Sequence, residues 1–317
     1  MDNERLRLLV KISQLYYQDG MNQQQIASKY NISRSQVSRF LSASKAEGIV
    51  EITIRNPFSD ETLLENQLME LYNLREVIVV DTTDADDMLA DMLIGKAAAA
   101  FFENVLKDND VVGVMAGKSI TALAKEVKDP QKSNVHFVPL VGGWGSDGME
   151  WHSNTNAFLL GKNTKNTYSV LHAPAVVRTE NAKETLVHEP EIAKLIEFYS
   201  KVDVALVGIG QISKDATHVK STNMSEGDIS VLENDGAVAS IATSFIGPTG
   251  EQISTSFSDR MIGINGTDLK NVPLVLGVAR GDVKTRGIHA ALTGGWINVL
   301  VTDMKTAKMI IDIQKNS

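Results

Sequence analysis

The stretch QQQIASKYNISRSQVSRF, residues 23–40, decides how the rest of this chain is read. Counted from Gln23 as position one, apolar side chains fall at positions four (Ile26), eight (Tyr30), ten (Ile32), fifteen (Val37) and eighteen (Phe40). Ala27 at position five is small enough for two helices to cross closely, and Asn31 at position nine stands where a tight turn needs a left-handed backbone. The spacing predicts a helix over 23–30, Ser33 as the N-cap of a second helix running from about Arg34 to Ala46, and a stop at Gly48. Any helical hairpin in a core would share that apolar spacing. It would not share the outer face of the second helix, where Arg34, Ser35, Gln36, Ser38, Arg39 and Ser42 stand without an acid among them. Arg pairs with guanine O6 and N7, Gln with adenine N6 and N7, and Ser with phosphate or a base edge, so this face suits the major groove of double-stranded DNA. Arg34, Gln36 and Arg39 are the expected base or phosphate contacts, with Ser33, Ser35 and Ser38 beside them. Gln23 and Gln24 open the first helix and are expected on phosphates.

Around this hairpin, Arg5–Tyr17 reads as an amphipathic helix with Leu6, Leu9, Val10, Ile12, Leu15, Tyr16 and Tyr17 on one broad face. On the other side, IVEITIR (49–55) alternates apolar and polar residues and is expected to be a strand, the wing of a winged helix-turn-helix. Pro57 ends it. A further helical pattern over about 60–74 places Leu63, Leu64, Leu68, Leu71 and Leu74 at helical spacing. It links this head to the remainder, either packed on its own domain or paired with a second subunit.

The full chain of 317 residues has room for about two domains. Its 43% hydrophobic and 22% charged residues describe an ordinary globular protein and exclude a disordered or fibrous one. The absence of cysteine removes disulfides, thiolate zinc sites and Cys nucleophiles together. No stretch approaches the ~18 consecutive apolar residues of a membrane span, so a soluble, cytoplasmic protein without a membrane partner is expected. The net charge of −8 hides an asymmetry: residues 1–55 carry +3 and the rest −11. A basic head on an acidic body is compatible with a nucleic-acid contact made by the head alone.

From Val77 onward short β-branched runs alternate with helical patterns: VIVVD to Asp81, VVGVM to Met115, HFVPLV to Val141, VALVG to Gly208, VPLVLG to Gly277 and NVLVTD to Asp303. Continuous apolar strands between helices imply a parallel sheet covered on both faces, whose ligands bind at the carboxyl ends of the strands. GVMAGKS (113–119) lacks the spacing of a nucleotide-binding P-loop, having three residues instead of four before its Gly-Lys pair. What remains is a Gly-rich turn entering a helix at about Ile120, read either as an anion site with Lys118 or as a plain turn. The loop Gly142-Gly143-Trp144-Gly145-Ser146-Asp147, leading to His152–Asn156, suits a polyhydroxylated ligand, or is simply a long polar loop. Gly208-Ile209-Gly210 ends another strand, and Lys284 in RGDVK (280–284) can pair with a phosphate.

Signs of catalysis are thin. The six histidines show no metal spacing, no G-x-S-x-G elbow occurs, and Asp147 and Asp259 are carboxylates suited to sugar hydroxyls without a shared pocket evident. Neither a catalytic residue, a metal nor a cofactor is expected.

The segments LYYQDGMNQQQIASKYNISRSQVSRFL (15–41), DVVGVMAGKS (110–119), PLVGGW (139–144), DVALVGIG (203–210) and GIHAALTGGWINVLVTD (287–303), in this order and spacing, resemble the SorC family of bacterial sugar-binding transcriptional regulators. The resemblance covers essentially the whole chain. It implies a Rossmann-like α/β effector domain similar to ribose-phosphate isomerases and glucosamine-phosphate deaminases, with a phosphorylated sugar or polyol as effector. It places the effector pocket at Gly117-Lys118-Ser119, Gly142-Gly143, Gly208–Gly210, Asp259 and Lys284; Trp144, Asp147 and Asn154 join them from the polar loop. Val141 stands where a lysine would be needed for a Schiff base, which argues for a noncovalent ligand. The expected organisation is a winged helix-turn-helix over 1–56 and an effector-binding, oligomerising domain over 57–317, acting as a dimer or tetramer on operator DNA. The alternative is a sugar-phosphate isomerase or deaminase carrying a DNA-binding head.

Overall fold

The computed structural model describes residues 3–52, 57–143, 145, 149–213 and 226–316. Their contacts divide the chain into two compact units, Met1–Pro57 and Phe58–Ser317.

The first unit is three helices, α1 (Asn3–Tyr17), α2 (Gln23–Tyr30) and α3 (Arg34–Ala46). Both helices of the hairpin open on a reciprocal cap. Asn22 accepts from Gln25 N while Gln25 Oε1 accepts from Asn22 N, and Ser33 and Gln36 repeat the arrangement at α3. Asn31 takes the left-handed turn, φ 51°, and its N–H closes on the last turn of α2. Ile12, Ile26, Ala27, Val37 and Leu41 form the core. The face of α1 is narrower than its sequence suggests: Leu9 and Ile12 are buried, whereas Leu6 (37%), Val10 (36%) and Tyr17 (39%) stay exposed. Of the expected wing, residues 49–52 form no strand, because no partner strand lies beside them among the described residues; residues 53–55 lie outside the described residues.

In the second unit the helices are α4 (Ser59–Tyr72), α5 (Asp87–Val105), α6 (Lys118–Glu126), α7 (Ser153–Thr164), α8 (Glu180–Val187), α9 (Pro190–Ile196), α10 (Glu226–Asn234), α11 (Gly266–Lys270), α12 (Thr285–Thr293) and α13 (Met304–Lys315). The strands β1 (Glu76–Val80), β2 (Val111–Val114), β3 (His136–Pro139), β4 (Thr167–Tyr168), β5 (Val204–Gly208), β10 (Leu274–Val278) and β11 (Val299–Asp303) form one seven-stranded sheet, and β6 (Gly210–Gln211), β7 (Ala239–Ile241), β8 (Ser244–Ile246) and β9 (Gln252–Ile253) a second of four strands. All six strands read from the sequence lie in the larger sheet, in the order β1-β11-β10-β5-β2-β3-β4 and parallel throughout. The smaller sheet is antiparallel.

Two-sided burial explains the unbroken apolar runs. In β5, Val204 and Leu206 point into the core shared with Ile94, Phe102, Ile120 and Leu160, while Ala205 and Val207 point into the core shared with Leu68, Ile288 and Ile310. The linker helix α4 packs on its own domain through Leu64 and Leu68, against β1 and α13, and leaves Leu63 and Leu71 exposed. Between β2 and β5 the chain direction across the sheet reverses: β3 and β4 are added on one side, β10 and β11 on the other. A crevice at the carboxyl ends follows from that reversal.

The turn at Asn31 offers a direct check on the head. Asn31→Val is expected to cost about 1–2 kcal/mol, because a β-branched residue resists φ above zero, whereas Asn31→Gly is expected to be near neutral. Hydrogen exchange of the α2 and α3 amides in the full chain measures both.

Candidate functional site

Two surfaces carry functional groups. On the head, Arg34, Ser35, Gln36, Ser38, Arg39 and Ser42 are all exposed, as is Gln24, while Gln23 is half-buried. Their roles are not equal. Gln36 Oε1 accepts from Ser33 N at 2.9 Å, and the Ser33 and Ser35 hydroxyls share a hydrogen at 2.8 Å, so these three groups hold the first turn of α3. Arg34 and Arg39 make no ion pair among the described residues and keep all their donors free. Sequence reasoning missed the second role of Gln36, although Ser-x-x-Gln is itself the signal of a capping box.

On the body, a cavity of about 650 Å³ lies where β2, β5 and β10 end. Each strand delivers a short segment to it: Met115–Ile120 after β2, Gly208–Gln211 from the end of β5, and Arg280, Gly281, Val283 and Lys284 after β10. Two glycines make the turns possible. Gly117 (φ 131°) and Gly281 (φ 106°) hold backbone conformations that side chains resist, each just before a helical turn. Helix α6 therefore starts at Lys118, two residues earlier than expected, with no side-chain cap on its N-terminus. The N–H groups of Lys118 and Ser119 there are left without intrahelical partners. Ser240, Ala242 and Phe245 from the smaller sheet, with Phe257 and Met261, close the apolar side. Ala242 itself is left-handed at φ 51°, an uncommon state for alanine, in the two-residue turn between β7 and β8.

The charges in the cavity sort into two groups. Arg280 is held in ion pairs: its Nε donates to Asp91 Oδ1 at 2.7 Å, and its Nη2 donates to Asp87 Oδ1 at 3.1 Å and to the Asp87 carbonyl at 2.9 Å. Lys118 and Lys284 pair with no carboxylate among the described residues. The Lys118 ammonium lies 5.1 Å from the centre of the Trp151 ring, a cation–π contact. Burial pushes the Lys284 ammonium below the usual lysine range; Asp91 opposes the shift, and Arg280 and Lys118 reinforce it. Two ammonium groups without a carboxylate partner among the described residues thus line one cavity with an uncapped helix N-terminus, a set of groups chemically suited to an anion.

Of the residues expected here, Gly117, Lys118, Ser119, Gly208, Gly210 and Lys284 line the cavity together. Gly142, Gly143, Asn154 and Asp259 do not. A side chain on Gly142 would meet the Pro174 carbonyl at 2.6 Å, and Gly143 N donates to Ala173 O, so this glycine pair lets the segment after β3 run against 173–174. Asn154 clamps Leu171, accepting from its N–H at 2.9 Å and donating to its carbonyl at 3.1 Å. Asp259 is exposed in the short turn Ser258–Arg260. Trp144 and Asp147 lie outside the described residues. Sequence reasoning in turn left out Asp87, Asp91, Arg280, Gln211 and Ser240. Asp87 and Asp91 are one helical turn apart at the start of α5, a pattern that marks a shared face without saying what it meets.

A cation with a depressed pKa penalises the native state below that pKa, and the penalty fades as pH rises toward the ordinary lysine value. Lys284→Met is therefore expected to raise the melting temperature of the unliganded chain at pH 7, by roughly 2–4 °C per kcal/mol relieved, with the gain shrinking toward pH ~10. Thermal unfolding across pH measures it.

Comparison with known proteins gives a family match to each part of the chain. Residues 56–312 match the family described as "Putative sugar-binding domain", and residues 1–51 match a homeodomain-like domain. The deoxyribonucleoside regulator of Bacillus subtilis (strain 168) is 30% identical over 312 residues, 98% of this chain and 99% of that one. Among solved structures, the full-length sorbitol operon regulator SorC from Klebsiella pneumoniae superposes with a TM-score of 0.77 at 28% identity, over 98% of this chain and 99% of that one. A DeoR family transcriptional regulator from Listeria monocytogenes gives 0.73 at 30% identity, over 79% and 99%. With a helix-turn-helix head, a parallel-sheet body and this match over nearly its whole length, the chain belongs to the SorC family of sugar-binding transcriptional regulators.

Proposed function

We propose that this protein is a DNA-binding transcriptional regulator of a carbohydrate-utilisation operon, controlled by a phosphorylated sugar or polyol bound in the cavity of its body. The observation that carries the reading is the pair Lys118 and Lys284, unpaired at the cavity beside the free N-terminus of α6. The ester's phosphate sits between them. Its carbon chain lies toward Gln211 and Ser240, whose polar groups meet hydroxyls, and against the wall of Met115, Phe245 and Phe257. Relatives named as regulators of deoxyribonucleoside, sorbitol and erythritol functions support a carbohydrate-derived ligand.

Arg34 and Arg39 reach bases or phosphates in the major groove, Ser38 lies between them, and Gln23 and Gln24 at the start of α2 meet the backbone. Ser33, Ser35 and Gln36 shape the end of α3 that enters the groove, with the Gln36 amide nitrogen left for contact. A second copy of the chain, in a dimer or tetramer, supplies the other half-site of an approximately palindromic operator. The reading as an isomerase or deaminase has less support, because the carboxylates that line the cavity among the described residues, Asp87 and Asp91, are both held in ion pairs by Arg280, and an ion pair disfavours the protonated form that a general base passes through.

A sugar monophosphate is expected to raise the melting temperature of the full chain where its unphosphorylated parent does not, and saturation at 100 times Kd would add about 2.7 kcal/mol. Lys118→Ala or Lys284→Ala is expected to abolish that shift. On the head, Arg39→Ala is expected to weaken operator binding by about 1–3 kcal/mol at matched salt. Unchanged affinity in a fluorescence-anisotropy titration would remove α3 as the recognition helix.

A further inference from the structure

Resting on the reading that the cavity takes a phosphate, we infer that Asp87 and Asp91 are specificity-determining residues that restrict the ligand to a single phosphate and exclude bisphosphates. The charge arrangement carries this. The cavity has three cationic side chains among its described residues, which by number alone would favour a doubly phosphorylated ligand. Arg280 does not serve that purpose. Its guanidinium is mostly enclosed, with 19% of the side chain exposed, and it is bonded to both carboxylates, so it presents no net positive charge to a second anion. One phosphate fills the remaining pair, Lys118 and Lys284.

Among the described residues, a second phosphate has nowhere favourable to go. Beside Arg280 it meets the two carboxylates that hold it. An adjoining groove of about 320 Å³ shares Asp91, Lys118 and Trp151 with the cavity, and there Glu126 and Glu150 join Asp91 against Lys118 and Lys125. Lys118 is already committed to the first phosphate, which leaves three carboxylates facing one ammonium. The cavity volume does not limit size, so exclusion here is electrostatic and a matter of sign.

The test uses the full chain and two probes, inorganic phosphate and pyrophosphate, titrated calorimetrically at pH 7.5. A merely cationic pocket would bind pyrophosphate, the more highly charged probe, at least tenfold more tightly. The inference predicts that wild type binds pyrophosphate no more tightly than phosphate. Asp91→Asn, which removes one of the two negative charges that offset Arg280, is expected to shift the ratio toward pyrophosphate at least tenfold. Asp87→Asn, whose side chain is 97% exposed and whose loss cannot disturb the core, is expected to shift it the same way by a smaller factor. A tenfold preference for pyrophosphate in wild type, lost with phosphate binding in Lys118→Ala, would overturn the exclusion and leave the anion site standing. An unchanged ratio in both aspartate variants would overturn their role. Binding of neither probe, or binding that survives Lys118→Ala, would defeat the phosphate reading itself and the inference with it.

Discussion

A parallel strand buried on both faces has one exposed part, its ends, and the function of this protein follows from that constraint. Alternate side chains of β5 enter opposite cores, so the strand can change neither face without opening a cavity in one of them. Variation is left to the segments that leave the carboxyl ends. Between β2 and β5 those segments diverge, and the gap they leave becomes the cavity of the body. Gly117 and Gly281 then turn the chain sharply enough to aim Lys118, Lys284 and the N-terminus of α6 into the same space.

Electrostatics within that space is a balance, with the outcome set by which cation is left over. Arg280 is offset by two carboxylates at bonding distance, whereas Lys284 is half-buried with no carboxylate partner among the described residues, and burial lowers its pKa. The proposed anion would relieve the cost of that burial on binding. A site that is destabilising when empty and satisfied when filled is well suited to sensing, because occupancy then changes the stability of the surrounding elements. One such element is α12, which starts directly after Lys284 and carries His289, hydrogen-bonded to Tyr72 of the linker helix at 2.8 Å.

Much of this was legible in the sequence, and the reason is periodicity. The hairpin spacing from Ile26 to Phe40 and the six apolar runs correspond to elements with strong, repeated burial, and Asn31 and Ser33 occupy the backbone states their chemistry favours. The place of Lys118 at the cavity was also readable, since a Gly-Lys turn after a buried strand has few other places to point. The smaller sheet was not: strands of two or three residues such as Gly210–Gln211 carry no periodic signal, and so Ser240 and Phe245 could not be assigned to the cavity. Gly142 and Asn154 misled for a related reason. Backbone approach and amide clamping call for the same residue types as ligand binding, and only tertiary position separates them.

Under the proposed function, an anion held by Lys118 and Lys284 changes the affinity of the head for DNA. The most direct measurement is the Kd for a duplex selected from a random pool, at fixed salt, with and without a saturating sugar monophosphate, in wild type and in Lys118→Ala. At least a fivefold change is expected in wild type, within the usual range of coupling energies, and none in the variant. Equal changes in both proteins, or no change in wild type at a ligand concentration that saturates the cavity, would contradict it.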